Sequence, residues 1–497
     1  MQQTSPTLPS SSTPAGKRKR DSWSGQVAFI LAAAASAIGL GNLWRFPYLA
    51  AQYGGGIFIL IYLILVVTFG FTLMVTEIAI GRKTQQSQLT AYSKLHRGFG
   101  PLGLLATLVP AVILPYYCVI GGWVLKYFWT YLRMLANPAA APADPGAFFT
   151  GFIQAPFAPF GYGMLFILAC ALVIALGVRN GIEKSNLVLM PLLFVMAIGI
   201  SVYVMFLPGA GAGIRYYLVP NLDALRVATV DAAGDPVRVF SLARRGKTVH
   251  GAMGPMFYSL SLAMGIMITY GSYMRPEDSI ERSVRRIELF DTLIAVIAGM
   301  MIIPVVYLFA VKTGTPVHDA MNAGPGLMFI TLPKVFAGFG AAGAPVGALF
   351  FLLVLFAALT SAISLYEACV ASVCDLLGMK RRNATFFMFF VVAFLSAFSA
   401  LGYGAWDQVR LFGMQFLDFF DFVTNAVLMP IVALVTCLFV GWVLSPKAIE
   451  DEILRGEPRF ASRGLYNVMV RYVAPILITA LLVSETCRAL GLFGWKI

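Results

Sequence analysis

Apolar residues run through this chain in long continuous blocks, with little of the every-other-residue alternation that the strands of a membrane barrel need. The blocks cover 24–49, 56–81, 103–135, 163–179, 186–207, 252–274, 286–312, 345–376, 384–401, 411–443 and 464–490. A helix needs roughly 20 apolar residues to cross the hydrocarbon core of a bilayer, so the pattern predicts an all-α integral membrane protein with eleven spans. Most connectors are short. The exception is 208–251, where Val227–Thr229 and Val237–Phe240 flank the turn-forming stretch Ala232 to Pro236. That arrangement suggests a small external hairpin, with an unstructured insert as an equal alternative.

Composition agrees with a lipid environment: of 497 residues 59% are hydrophobic and 12% charged, and the mean hydropathy is +0.81. The formal charge of +13 changes the picture little, because the basic residues are scattered among connectors rather than lining one face, which argues against a nucleic-acid partner. Their distribution does carry orientation. Lys17 to Arg20, then Arg82, Lys83, Lys94 and Arg97, then Arg179 and Lys184, then Lys380, Arg381 and Arg382 all fall on one side of the predicted spans. The positive-inside rule makes that side cytoplasmic, so the N-terminus is expected inside and, after an odd number of spans, the C-terminus outside a multi-pass plasma-membrane protein. The basic loop 208–251 is long enough to translocate regardless of charge.

Residues 1–20 are Ser/Thr/Pro-rich up to the basic cluster and are expected to form a disordered cytoplasmic tail. A signal peptide is rejected, because the apolar run that follows contains Gly39, Gly41, Asn42 and Arg45 and lacks a small-residue cleavage site. The six cysteines lie in or beside apolar runs without metal-ligand spacing and read as packing residues. His96, His250 and His318 lie in or near connectors and join no nucleophile or acid in a catalytic pattern, so an enzyme is not expected.

Two blocks contain residues that a helix buried in lipid should avoid. In the first, Gly39, Gly41 and Asn42 sit at mid-block, where each costs helix stability. A small-residue packing seam would explain the glycines but not Asn42 or Arg45. The sixth block has a similar interruption from Tyr258 to Gly265, five spans later. Broken helices at matching places in two halves point to inverted repeats around a midplane site, where freed N–H groups suit a carboxylate and freed carbonyls suit a cation or ammonium group. The expected organisation is a first repeat over 21–207 (spans 1–5), the loop 208–251, a second repeat over 252–443 (spans 6–10), and a connector with span 11 over 444–497.

On Ala37-Ile-Gly-Leu-Gly-Asn-Leu-Trp-Arg-Phe-Pro47, Tyr53-Gly-Gly-Gly56, Ser259-Leu-Ser-Leu262, Ile268-Thr-Tyr-Gly-Ser-Tyr273 and Leu359-Thr-Ser-Ala-Ile363, the chain resembles the neurotransmitter:sodium symporter family, in particular its bacterial amino-acid symporters of the leucine transporter type. The resemblance spans nearly the whole chain. It implies sodium-coupled symport of a small neutral amino acid by alternating access. One Na+ would lie on the Ala37 carbonyl, Asn42, Ser259 and the substrate carboxylate. A second would lie on the carbonyls of Ala35, Ile38 and Ala357 and the hydroxyls of Thr360 and Ser361. Without the resemblance, those two hydroxyls read as ordinary back-bonded helix residues.

The resemblance also gives the substrate carboxylate to the N–H groups of Leu40 and Gly41 and to Tyr117, and the amine to carbonyls near Tyr258 and Ser259. Side-chain selectivity would come from Ile113, Tyr258, Ser261, Met264, Ser364 and Leu365. Gly39 stands where monoamine-transporting relatives have Asp, which argues for an amino acid. Arg45 and Asp421 resemble an outer gate with Tyr258 as its lid, and Arg20, Trp23, Ser272, Tyr273 and Asp375 an inner gate.

Three departures bear on these expectations. The family's sodium-binding Asn on the seventh span aligns with Phe290, but the adjacent Asp291 can take its place after a one-residue shift and would charge the site. The region matching the chloride site reads Tyr62, Pro255, Ser259 and Ile294, which leaves two positions without a polar group, so chloride is not expected to be required. Ala263 replaces a glycine within the sixth-span break, and its methyl group is expected to limit unwinding and pocket volume, favouring small aliphatic substrates over tryptophan. The sequence leaves the oligomeric state open.

Overall fold

The computed structural model describes residues 20–222, 226–230, 236–240, 242–321 and 324–489. Nearly all of the expected tail therefore lies outside the described residues. Among the described residues, nine helices are long and apolar enough to cross a membrane: Gly56–Thr84, Arg97–Ala136, Ala158–Ala175, Val178–Met205, Ile280–Thr313, Gly340–Leu377, Arg381–Leu401, Phe416–Leu444 and Arg463–Cys487. A tenth span is a bent pair, Gln26–Ala37 and Gly41–Gln52, whose halves meet at 52°. The chain is thus an α-helical multi-pass membrane protein. The block at 252–274 has a different form: a helix Leu242–Ser259, six non-helical residues, then a helix Ile266–Gly271.

Each interruption has a local cause. The first helix ends when Ile38 turns to an extended conformation, and the chain re-enters through a π-helical turn at Gly41–Arg45, with Pro47 in the first turn of the next segment. In the second interruption Ser261, Ala263 and Gly265 all take positive φ, at 53°, 58° and 69°. For Ser261 and Ala263 that conformation costs about 1–2 kcal/mol each. Ala263 does not limit unwinding as expected, because its N–H donates at 2.7 Å to Oε1 of Glu77 on the second span. A hydrogen bond to a buried carboxylate is worth about 1.5–3 kcal/mol, enough to offset the strain at that residue.

Gly340–Leu377 packs along Arg97–Ala136, which also packs on Ala158–Ala175, and this trio forms the scaffold against which the two interrupted segments lie. Short helices at Pro145–Gln154, Ala210–Leu218, Leu327–Ala337 and Pro446–Ile453 occupy connectors and are not marked by hydropathy alone. In the long loop, Arg226–Val230 pairs antiparallel with Pro236–Phe240, Arg226 opposite Phe240 and Val230 opposite Pro236, while the turn between them lies outside the described residues. The six cysteines are free thiols, four of them buried.

One buried ion pair ties the end of the second span to later connectors. Arg82 Nε lies 2.9 Å from Glu452 Oε1, both side chains 1% exposed, and its other nitrogens reach the carbonyls of Asp278 and Glu452.

Candidate functional site

The two interruptions face each other across a set of hydrogen bonds. Asn42 accepts the Gly39 N–H on its Oδ1 at 3.1 Å and donates from Nδ2 to Ser259 Oγ and Asp291 Oδ1, both at 2.8 Å. Ser259 donates to the same carboxylate oxygen at 2.7 Å, and the Tyr62 hydroxyl donates to Asp291 Oδ2 at 3.3 Å. The structure thus brings Asp291, the residue reached by the one-residue shift, together with Asn42 and Ser259. Asp291 enters this cluster, whereas Phe290 packs its ring edge-on against Phe194. Tyr62 and Ser259, the polar members of the chloride-like region, both point at this carboxylate. An anionic side chain amid neutral oxygens is a donor set that suits a small hard cation.

Beside this cluster lies a cavity of about 20 Å3, lined by Ser36, Ala37, Gly39, Ile113, Tyr117, Tyr258, Ser261, Met264, Ile266, Ser361, Ser364 and Leu365. Every lining residue is buried except the half-buried Tyr258. The Leu40 N–H points at the Tyr117 hydroxyl at 3.4 Å. A Cβ at Gly41 would come within 2.9 Å of the Tyr258 ring, and one at Gly39 within 2.8 Å of Ser361 Oγ and 3.2 Å of the Tyr117 hydroxyl. Glycine at both positions lets side chains approach the backbone of the break.

The second expected cation site is brought together in part. Ser361 Oγ reaches across to the carbonyls of Ser36 and Ile38 at 3.1 and 3.2 Å. Thr360 instead bonds back into its own helix, to the carbonyls of Phe356 and Ala357, each at 3.1 Å. This is the ordinary alternative noted for it from sequence. Ala35 is buried in the first helix, one turn from Ile38.

At the Arg20 end, the expected inner-gate residues converge. Arg20 Nη1 donates to both carboxylate oxygens of Asp375 at 2.8 and 3.0 Å, its Nε donates to Ser272 at 2.9 Å, and its guanidinium lies over the Tyr273 ring. Trp23 is fully buried and donates from Nε1 to the Tyr270 carbonyl at 3.0 Å. At the opposite end, Arg45 and Asp421 do not form the expected ion pair. Asp421 accepts instead from the Tyr116 hydroxyl at 3.1 Å and from Asn425 at 2.5 Å. The charged groups are thus joined at the Arg20 end, while Arg45 and Asp421 stand apart at the other.

Sequence reasoning missed several members of these networks. Ser36, in the first helix, joins the break at Ser261 to the helix Gly340–Leu377 through its hydroxyl and its carbonyl. Glu77 and Glu367 are fully buried carboxylates. Glu367 accepts from Tyr273 at 2.6 Å and pairs with Arg381, extending the inner network. A lone acid within an apolar block was the available signal for both.

An oxygen-lined, lipid-shielded chamber between a bent span and an interrupted helix, latched by charged residues at one end, defines an ion-coupled membrane carrier. Comparison with known proteins makes this specific. The profile of the Sodium:neurotransmitter symporter family matches residues 20–137 and 161–492, and the chain belongs to that family. It is 32% identical over 471 residues to the sodium-dependent transporter YhdH of Bacillus subtilis, covering 93% of this chain and 97% of that one. It is 30% identical over 492 residues to a sodium-dependent transporter of Methanocaldococcus jannaschii, covering 96% and 93%. Among solved structures, MhsT in complex with L-phenylalanine superposes with a TM-score of 0.80 at 32% identity, covering 94% of this chain and all of that one. The chain is accordingly a sodium-coupled symporter of a small organic solute that works by alternating access, and not an enzyme.

Proposed function

We propose that the solute is a small neutral amino acid with an aliphatic side chain, carried with two Na+ across the plasma membrane. The observation that carries this reading is the junction of Asn42, Ser259 and Asp291 beside a cavity bounded by the first-span break. One Na+ would sit on the Ala37 carbonyl, Asn42, Ser259, Asp291 and the substrate carboxylate. That carboxylate would in turn meet the N–H groups of Leu40 and Gly41 and the hydroxyl of Tyr117. The other Na+ would sit on Ala35, Ile38, Ala357, Thr360 and Ser361, with Thr360 swinging away from its back-bonded position. MhsT, which holds an amino acid, supports the class of substrate, and the methyl of Ala263 within the sixth-span break supports a small one.

Asp291 supplies a fixed negative charge beside Tyr62, so chloride would not be required. The interrupted segment Leu242–Gly271 would be the sixth of eleven spans and the counterpart of the first in an inverted repeat, with the N-terminus cytoplasmic and the C-terminus outside. Arg45 and Asp421 would join, with Tyr258 over the cavity, as the outer side closes. Each Na+ entering down 100 mV releases roughly 2.3 kcal/mol, so two uncompensated ions sustain accumulation on the order of a thousandfold before any sodium gradient is added.

Uptake of radiolabelled alanine into proteoliposomes tests the proposal. The expected result is accumulation under an inward sodium gradient, none without it, and no change when chloride is replaced by gluconate. Sodium-independent flux would mark a channel. Binding without flux would mark a sensor, and loss of uptake in gluconate would overturn chloride independence.

A further inference from the structure

The cavity lining is of two kinds: the apolar side chains of Ile113, Met264, Ile266 and Leu365, and the hydroxyls of Ser36, Ser261 and Ser364, with Tyr117, Tyr258 and Ser361 beside them. Ser36 Oγ donates to Ser364 Oγ at 2.6 Å, and Ser364 Oγ donates to the Ser361 carbonyl at 2.7 Å. Ser261 Oγ donates to the Ser36 carbonyl at 3.1 Å and lies 3.1 Å from Ser36 Oγ. A serine hydroxyl has one proton and two lone pairs. All three protons are committed within the protein, while lone pairs on Ser261 and Ser364 stay open. Such a lining receives an O–H donor and offers nothing to a side chain that only accepts.

We infer, resting on the amino-acid reading above but departing from its purely aliphatic side chain, that the preferred solute is a small β-hydroxy amino acid, threonine or serine, whose side-chain proton is received by the Ser261–Ser364 hydroxyls. A threonine side chain offers one group to each kind of lining, its methyl to the apolar residues and its hydroxyl to the serines, once the lining residues move apart to admit the solute. Because the serine network keeps its internal partners when an apolar side chain enters, no buried group is orphaned, and the selectivity is that of one added hydrogen bond. That is a factor of about three to ten, far below the roughly 10^4-fold rejection seen where a site is left unpaired.

Threonine and valine have nearly the same shape, so their competition against alanine uptake in proteoliposomes isolates the hydroxyl. The expected result is half-inhibition by threonine at about three- to tenfold lower concentration than valine, with the ratio falling in Ser364→Ala and in Ser261→Ala and reaching about one when both are replaced. The ratio in the unmodified protein decides the matter even if a variant fails to fold. Sodium-driven alanine uptake with threonine no better than valine overturns this inference and leaves the amino-acid reading standing. Absence of sodium-driven uptake of any amino acid overturns both.

Discussion

Replacing Asp291 by Asn keeps the size of the side chain and one acceptor oxygen while removing the charge. In the parent, Oδ1 accepts from Ser259 at 2.7 Å and Asn42 at 2.8 Å, and Oδ2 accepts from Tyr62 at 3.3 Å. A hydrogen bond to an ionised acceptor is worth about 1.5–3 kcal/mol against about 0.5–1.5 for a neutral one, so the two short contacts together weaken by about 2 kcal/mol. That loss falls on the folded protein itself and should appear as a lower unfolding temperature in detergent. The sodium term is separate. At an effective dielectric of about 20 a unit charge ~5 Å away contributes ~3 kcal/mol, and a directly ligating carboxylate at least that, so the loss corresponds to a rise of about a hundredfold or more in half-saturating sodium. The assay is sodium-dependent solute binding by purified protein, repeated as uptake in proteoliposomes. If Asp291→Asn folds and its half-saturating sodium stays within about threefold of the parent's, the cation lies elsewhere, and the Asn42–Ser259–Asp291 cluster is only a tie between helices.

Three further perturbations follow from the same geometry. Arg20→Ala removes the paired contacts to Asp375 and the bond to Ser272, about 2 kcal/mol in all, and should increase maleimide labelling of the neighbouring native Cys374 in inside-out vesicles by tenfold or more; unchanged labelling would contradict a latch. Glu452→Gln leaves the buried Arg82 guanidinium without its counter-charge and should destabilise the protein by about 3–5 kcal/mol, read as thermal unfolding in detergent; an unchanged transition would show the pair to be dispensable. Ala263→Gly relieves a left-handed alanine and should stabilise the break by ~1 kcal/mol while improving competition by tryptophan. If tryptophan already outcompetes alanine, valine, leucine and methionine in the parent, the size argument fails.

The membrane class, the first-span break and most members of the site were legible because they contradict their surroundings. Gly39, Gly41, Asn42 and Arg45 are conspicuous in an apolar block, whereas Asp291 was reached through the family resemblance, one residue from the position of the family's sodium-binding Asn. What stayed hidden is pairing across long separations. Glu77 and Ala263 lie 186 residues apart, and nothing in either block names the other. Ser36 read as one more small residue in an alanine run, since its importance comes from the helices it meets rather than from its neighbours in sequence. The behaviour of Arg45 and Asp421 was illegible for another reason. Sequence can say that two charges share an end of the molecule, but not which conformer brings them into contact.

A conformer cinched beside Arg20 and unjoined beside Arg45 has a kinetic corollary if, as proposed, the cinched side is the cytoplasm. In this conformer the carrier would face the external medium, where sodium is plentiful and nutrient dilute, so it is the conformer poised for capture. Cargo already delivered can leak back only after the cinch lets go. Retention inside the cell is therefore governed by a short stretch, Arg20 to Ser24, docked through Asp375, Tyr270, Tyr273 and Glu183.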